Sequence, residues 1–135
     1  MKAKNLSLTL GSTFNGRYEV VSCIASGGMG AVYEVVHLET QRDRAMKVML
    51  PELVEDADLR ARFRREATIV ASVKSEHIVE TLDAGVDAET GIPFLVMELL
   101  EGEELSRRIE HQGRLQKSDA VLLLYQTSLA LEKTH

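Results

Sequence analysis

Residues 26–36 read Ser26-Gly27-Gly28-Met29-Gly30-Ala31-Val32-Tyr33-Glu34-Val35-Val36, a glycine cluster running straight into a β-branched segment. Ahead of it, residues 18–24 (YEVVSCI) are β-branched and aromatic. Beyond it, after the polar stretch 39–43, residues 44–50 (RAMKVML) carry Lys47 among apolar neighbours and end at Pro51. This alternation predicts three strands joined by a glycine loop and a short polar connection, with Pro51 stopping the third. A loop poor in side chains lets backbone amides come close to phosphate oxygens, and a lysine on the following strand supplies the positive charge they need. The pattern points to a nucleoside triphosphate.

Two other phosphate-binding arrangements fail on context. The dinucleotide fingerprint needs a helix after its glycines, so that the pyrophosphate meets the helix N-terminus. Here the glycines are followed by a segment that alternates with period two. A Walker A loop fails because no Gly-Lys-Ser/Thr follows the glycines at the required spacing.

Further along, the period changes. Asp56 or Asp58 can cap a helix in which Leu59, Phe63, Ala67, Val70 and Ala71 recur at helical spacing. Arg60, Arg62, Arg64 and Arg65 cover much of its remaining surface and read as a solvated face, with contact to a partner or a phosphate as the less favoured alternative. Extended segments are expected again at 78–82 and 94–100, separated by the turn-rich 87–91. Helices follow at 105–111 and from 118 onward. The last is apolar nearly all round (residues 120–125 and 129–131), as in a helix that belongs in a core. With the chain ending at His135, its outer faces imply a fragment of a larger domain or cover by another surface, self-association among the possibilities.

The 135 residues are 44% apolar and carry a formal net charge of −5. That suits one globular core and argues against nucleic acid as the main partner, because a phosphate backbone requires a clustered basic face. A single cysteine, Cys23, excludes an intramolecular disulfide and fits a reducing cytoplasmic setting; it reads as a buried strand residue. Met1 to Lys4 imitate the basic start of an export signal. Residues 5–10 alternate polar and apolar instead of building an apolar run, and no segment approaches the ~20 apolar residues of a membrane span. His37, His77, His111 and His135 are scattered without metal-ligand spacing, so no metal site is expected in the chain.

Several motifs, in order, resemble the catalytic domain of bacterial serine/threonine protein kinases of the eukaryote-like class. Gly16-Arg17-Tyr18-Glu19-Val20 is similar to the way those domains open. Residues 27–33 resemble their GGMGxVY loop, and Ala45-Met46-Lys47 their VAIK-type strand. Phe63-Arg64-Arg65-Glu66-Ala67 resembles their C-helix, and His77-Ile78-Val79 the entry to the next strand. Residues 93–102 (PFLVMELLEG) resemble the strand and hinge between lobes. The resemblance covers roughly residues 16–135. It implies an α+β fold: a kinase small lobe, built of an antiparallel sheet with the C-helix, then the hinge and the first helices of the large lobe. Residues 1–15 would be a lead-in, 16–100 the small lobe and hinge strand, and 101–135 the start of the large lobe.

The resemblance also implies roles. Lys47 would pair the α- and β-phosphates of ATP and be held in turn by Glu66. Helix phase alone leaves open a surface ion pair between Glu66 and a nearby arginine. Gly27, Gly28 and Gly30 would cover the phosphates, with Ala25 standing where the family has its first glycine. Ile24, Val32 and Ala45 would enclose adenine, although ordinary core packing explains small aliphatic residues equally well. Met97 would close the back of that pocket, while the backbones of Glu98 and Leu100 would meet the adenine edge. Glu104 matches a position after the hinge that meets ribose or a basic substrate residue in some kinases; a solvated helix start accounts for it as well.

The family's catalytic loop HRDxxxxN, its DFG metal-binding segment and its APE segment do not occur among these residues. His135 is similar to the end of the helix before that loop, not to the loop's own histidine. The resemblance therefore implies ATP, Mg²⁺ with ligands outside these residues, and a protein substrate. It implies a chain that does not catalyse phosphotransfer alone. A pseudokinase or nucleotide-binding interaction module stands as the alternative.

Overall fold

A computed structural model describes residues 8–134. The expected α+β organisation is present as a six-stranded antiparallel sheet, one helix beside it and two helices after it. The strands are β1 (Thr13–Phe14), β2 (Tyr18–Ser26), β3 (Gly30–His37), β4 (Arg42–Met49), β5 (Thr81–Val86) and β6 (Pro93–Glu98), in the order β1-β2-β3-β4-β6-β5. The helices are α1 (Ala57–Ser72), α2 (Leu105–Gln112) and α3 (Lys117–Thr134). The reading of Met1 to Lys4 and part of the lead-in lie outside the described residues.

Alternation along the strands sorts the side chains onto two faces. Tyr18, Val20, Tyr33, Val35, Met46, Val48, Phe94 and Val96 all fall on one face and form a single buried cluster. The sheet curls around them, bringing its two edges together. Phe14 of β1 meets Phe94 of β6 edge-to-face at 5.4 Å between ring centroids. Tyr18 of β2 donates a 2.7 Å hydrogen bond to Asp83 Oδ2 of β5. The buried position and that bond together push the Tyr18 phenol well above its usual range.

Some expected boundaries moved. Part of the lead-in is structural: Leu8 and Phe14 join the core, and β1 pairs with β2 through a turn in which Asn15 and Gly16 both have positive φ. The fifth strand begins at Thr81, not at Ile78. Its start is delayed because Ser75 captures the backbone: the Ile78 N–H donates to the Ser75 carbonyl, and the His77 N–H to Ser75 Oγ. Cys23 is half-buried and packs against the core.

Of the two candidate caps, Asp56 is the one used. Its carboxylate accepts from the backbone N–H groups of Asp58 and Leu59 at 3.0 Å each, and Asp58 adds a negative charge in the first turn. On α1 only Phe63 is fully buried; Leu59, Ala67 and Val70 are half-buried and Ala71 is exposed. The helix therefore touches the sheet mainly through Phe63. Ala67 and Ala71 line a cavity of about 600 Å³ that also reaches Gly85 and Phe94. α3 has no buried residue, and Val121, Leu122, Leu124, Tyr125 and Leu131 are more than half exposed. No helix among the described residues is long and apolar enough to cross a membrane.

Candidate functional site

The face of the sheet opposite the core carries the predicted site. Val32 of β3 is registered with Ala25 of β2 on one side and Lys47 of β4 on the other. Ala45 is registered with Glu34 and Met97, and Lys47 with Leu95. Because cross-strand partners and alternate residues share a face, Ala25, Val32, Ala45, Lys47 and Met97 look the same way. Ala45 is buried, while Val32 and Met97 are half-buried.

The glycine loop closes on itself: the Gly27 N–H donates to the Gly30 carbonyl at 2.9 Å, and the Leu50 N–H to the Met29 carbonyl at 3.0 Å. Its three glycines differ in their reason for being glycine. A Cβ on Gly28 would meet nothing within 4 Å, and one on Gly27 only the Gly30 carbonyl oxygen at 4.0 Å. A Cβ on Gly30 would collide with the Val48 carbonyl oxygen. Gly30 is thus dictated by the close approach of β4, whereas Gly27 and Gly28 leave the loop's outer surface bare.

Gly27, Gly28, Gly30, Val32 and Lys47 line one cleft of about 440 Å³, together with Ala25, Ser26, Met29 and Arg62. Beside it, Lys47 Nζ lies 3.5 Å from Glu66 Oε2, and Arg62 Nε lies 3.6 Å from Glu66 Oε1. Both pairings that the sequence allowed for Glu66 are therefore made at once, one on each carboxylate oxygen. Lys47 Nζ also stands 5.8 Å from the centre of the Phe63 ring, so the one buried side chain of α1 backs the lysine. With side-chain exposures of 33% for Lys47 and 42% for Glu66, the pair is partly open to solvent, and Lys47 lines the cleft. Two cations against one carboxylate leave the cleft electropositive, and the loop amides add to it.

The remaining predicted residues lie around this centre. Ile24 falls at the irregularity between Cys23 and Ala25, where it has no registered partner on β3; it is 51% exposed and does not line the cleft. Glu98 donates its backbone N–H to the Glu80 carbonyl and accepts the Glu80 N–H at its side chain. Leu100 follows β6 and is exposed. Glu104 occupies the N-cap position of α2 without a side-chain capping bond to the helix backbone. Sequence reading placed Arg62 only among the arginines of a solvated helix face, with a phosphate contact as the less favoured alternative. Its i,i+4 spacing to Glu66 was visible, but the orientation of that helix face toward the glycine loop was not. Among the described residues, no group of three or more His, Cys, Asp or Glu side chains could hold a metal ion.

The chain matches the model of the protein kinase domain over residues 18–135. It is 37% identical over 133 residues to the serine/threonine-protein kinase PknA of Mycobacterium tuberculosis, covering 96% of this chain and 31% of that protein. It is 31% identical over 126 residues to the probable serine/threonine-protein kinase CPE1738 of Clostridium perfringens, covering 93% of this chain and 18% of that one. The chain thus spans less than a third of the length of these relatives. Its fold superposes on the crystal structure of the Mycobacterium tuberculosis PknI kinase domain with a TM-score of 0.77 and 28% identity, covering 95% of this chain and 51% of that one. The chain belongs to the protein kinase domain family, among the serine/threonine kinases of bacteria, and corresponds to the N-terminal part of the catalytic domain.

Proposed function

We propose that this chain is the ATP-binding part of a serine/threonine protein kinase that transfers the γ-phosphoryl group of ATP to a protein hydroxyl when its catalytic domain is whole. The observation that carries this reading is the Lys47–Glu66 ion pair at 3.5 Å, beside the cleft under the glycine loop. Residues 16–100 act as small lobe and hinge, and 101–135 as the start of the large lobe. The amides of Gly27, Gly28 and Gly30 cradle phosphate oxygens; Lys47 binds the α- and β-phosphates, and Glu66 holds Lys47 extended toward them. Ile24, Val32 and Ala45 enclose adenine, Met97 limits the depth of its pocket, and the Glu98 carbonyl and the Leu100 backbone receive its polar edge.

Mg²⁺ does not fit the groups present here. No carboxylate lines the cleft, and Glu66 beside it is already paired with two cations. The ligands for that ion belong to the family's DFG and catalytic-loop segments, so no step is assigned to it in these residues. Phosphoryl transfer relies on positioning and on stabilisation of charge, and these residues supply the nucleotide's share of both. Residues 1–135 alone are accordingly inactive. The intact Lys47–Glu66 pair favours an active kinase over a pseudokinase.

Calorimetry with Mg-ATP tests the nucleotide reading: binding is expected, and it should be lost on Lys47→Met. Equal affinity in the variant would refute the role of Lys47. Phosphotransfer by residues 1–135 that Lys47→Met abolishes would refute their inactivity. The exposed apolar faces of α3 support a second role, burial against a further surface, including another copy of the chain. Light scattering that returned only a monomer would count against self-association.

A further inference from the structure

We propose that Arg62 is a second phosphate-binding cation of the cleft, and that it reads the terminal phosphate of a nucleoside triphosphate. This rests on the nucleotide reading above and extends it to a residue on α1.

The direction of the site is set by β4. Ala45 is registered with Met97, where the adenine wall is proposed. Lys47 lies two residues further along, and Met49, two residues beyond that, is registered with Gly30 at the glycine loop. A nucleotide laid along this face runs from Ala45, past Lys47, toward the loop. The cleft that Arg62 lines contains Lys47, Val32 and the loop residues, but neither Ala45 nor Met97. Arg62 therefore stands at the phosphate end, beyond Lys47.

Its chemistry suits that place. Among the described residues the carboxylate paired with Arg62 is that of Glu66, reached through Nε at 3.6 Å. A guanidinium has five N–H donors in a planar fork that matches phosphate oxygens, so the rest of the fork is available to a ligand. The side chain is 66% exposed, which leaves it free to turn toward the cleft. Glu66 would keep Lys47 while Arg62 moves, because the two cations use different carboxylate oxygens. A diphosphate would fill the Lys47 position and stop short of Arg62.

The test is calorimetric titration of the full-length protein with ATP and with ADP, comparing the unaltered protein with Arg62→Gln, Arg62→Lys and Lys47→Met. Arg62→Gln should weaken ATP about fivefold, the scale of one partly exposed charged contact, and change ADP by less than about twofold. Arg62→Lys should recover part of the ATP affinity, and Lys47→Met should weaken both nucleotides. Equal weakening of ATP and ADP by Arg62→Gln would show that Arg62 only steadies Glu66 and would overturn the proposal. Unchanged ATP affinity in that variant would overturn it too. An unaltered protein that bound neither nucleotide would instead refute the nucleotide reading itself, and the role of Arg62 with it.

Discussion

Lys47 on β4 and Glu66 on α1 meet at 3.5 Å, and theirs is the ion pair that joins the helix to the sheet. With side-chain exposures of 33% and 42%, the pair is screened by solvent and its contribution to stability is small, roughly 0.2–1 kcal/mol as for exposed pairs. Its consequence is positional. Lys47→Met and Glu66→Gln should each leave the chemical denaturation midpoint nearly unchanged while removing or strongly weakening ATP binding. Unfolding curves and calorimetry on the same samples separate the two effects.

Gly30 and Gly28 should respond differently to alanine. A methyl at Gly30 meets the Val48 carbonyl oxygen in the neighbouring strand, a rigid backbone atom, and overpacking of this kind costs about 1–3 kcal/mol. A methyl at Gly28 meets nothing. Gly30→Ala is therefore expected to lower the urea midpoint clearly, and Gly28→Ala to leave the fold intact while altering nucleotide affinity alone.

Phe63 is the only side chain that α1 buries completely. Removing it as Phe63→Ala should destabilise the fold by about 3 kcal/mol, at the lower end of aromatic core deletions because an open cavity already adjoins the ring. The same change withdraws the ring that backs Lys47, so ATP affinity should fall as well. Amide hydrogen exchange would report the loss selectively, with protection falling in α1 before the core strands.

Tyr18 supplies an alkaline signature. Burial and the hydrogen bond to Asp83 raise the phenol's pKa above its unfolded value of about 10. Above that pH the unfolded chain loses the tyrosine proton while the folded chain retains it, so the stabilisation present below pH ~10 is progressively lost as pH rises. Tyr18→Phe should be less stable near neutrality through loss of the Asp83 bond. It should also show a shallower decline at alkaline pH, measured as denaturation midpoints across the range.

Local chemistry settled much of this protein. Period-two alternation around a glycine cluster specified β2, β3 and β4 to within about two residues, because side-chain period and turn chemistry act over a few neighbours. Lys47 stood out by its place in an apolar strand after the glycine loop, whereas Glu66 and Met97 were singled out by family resemblance alone. Choices among equivalent local options were not legible. Asp56 and Asp58 were both plausible caps, and helix geometry selected Asp56. Ile78 looked extended until Ser75 took its N–H, and Ile24 fell at an irregularity that strand pattern does not announce.

What tertiary structure alone decided is how α1 meets the sheet and how the sheet meets itself. The curl that brings Tyr18 to Asp83 joins residues 65 apart in sequence, and the seating of α1 on Phe63 brings Glu66 to Lys47 and Arg62 to the glycine loop. Those contacts depend on long-range burial of the apolar core, and no local pattern encodes the angle at which a helix docks. The sequence by itself determined a strand–glycine loop–strand fold with its lysine; the packed structure determined that Glu66 is shared between two cations facing one cleft.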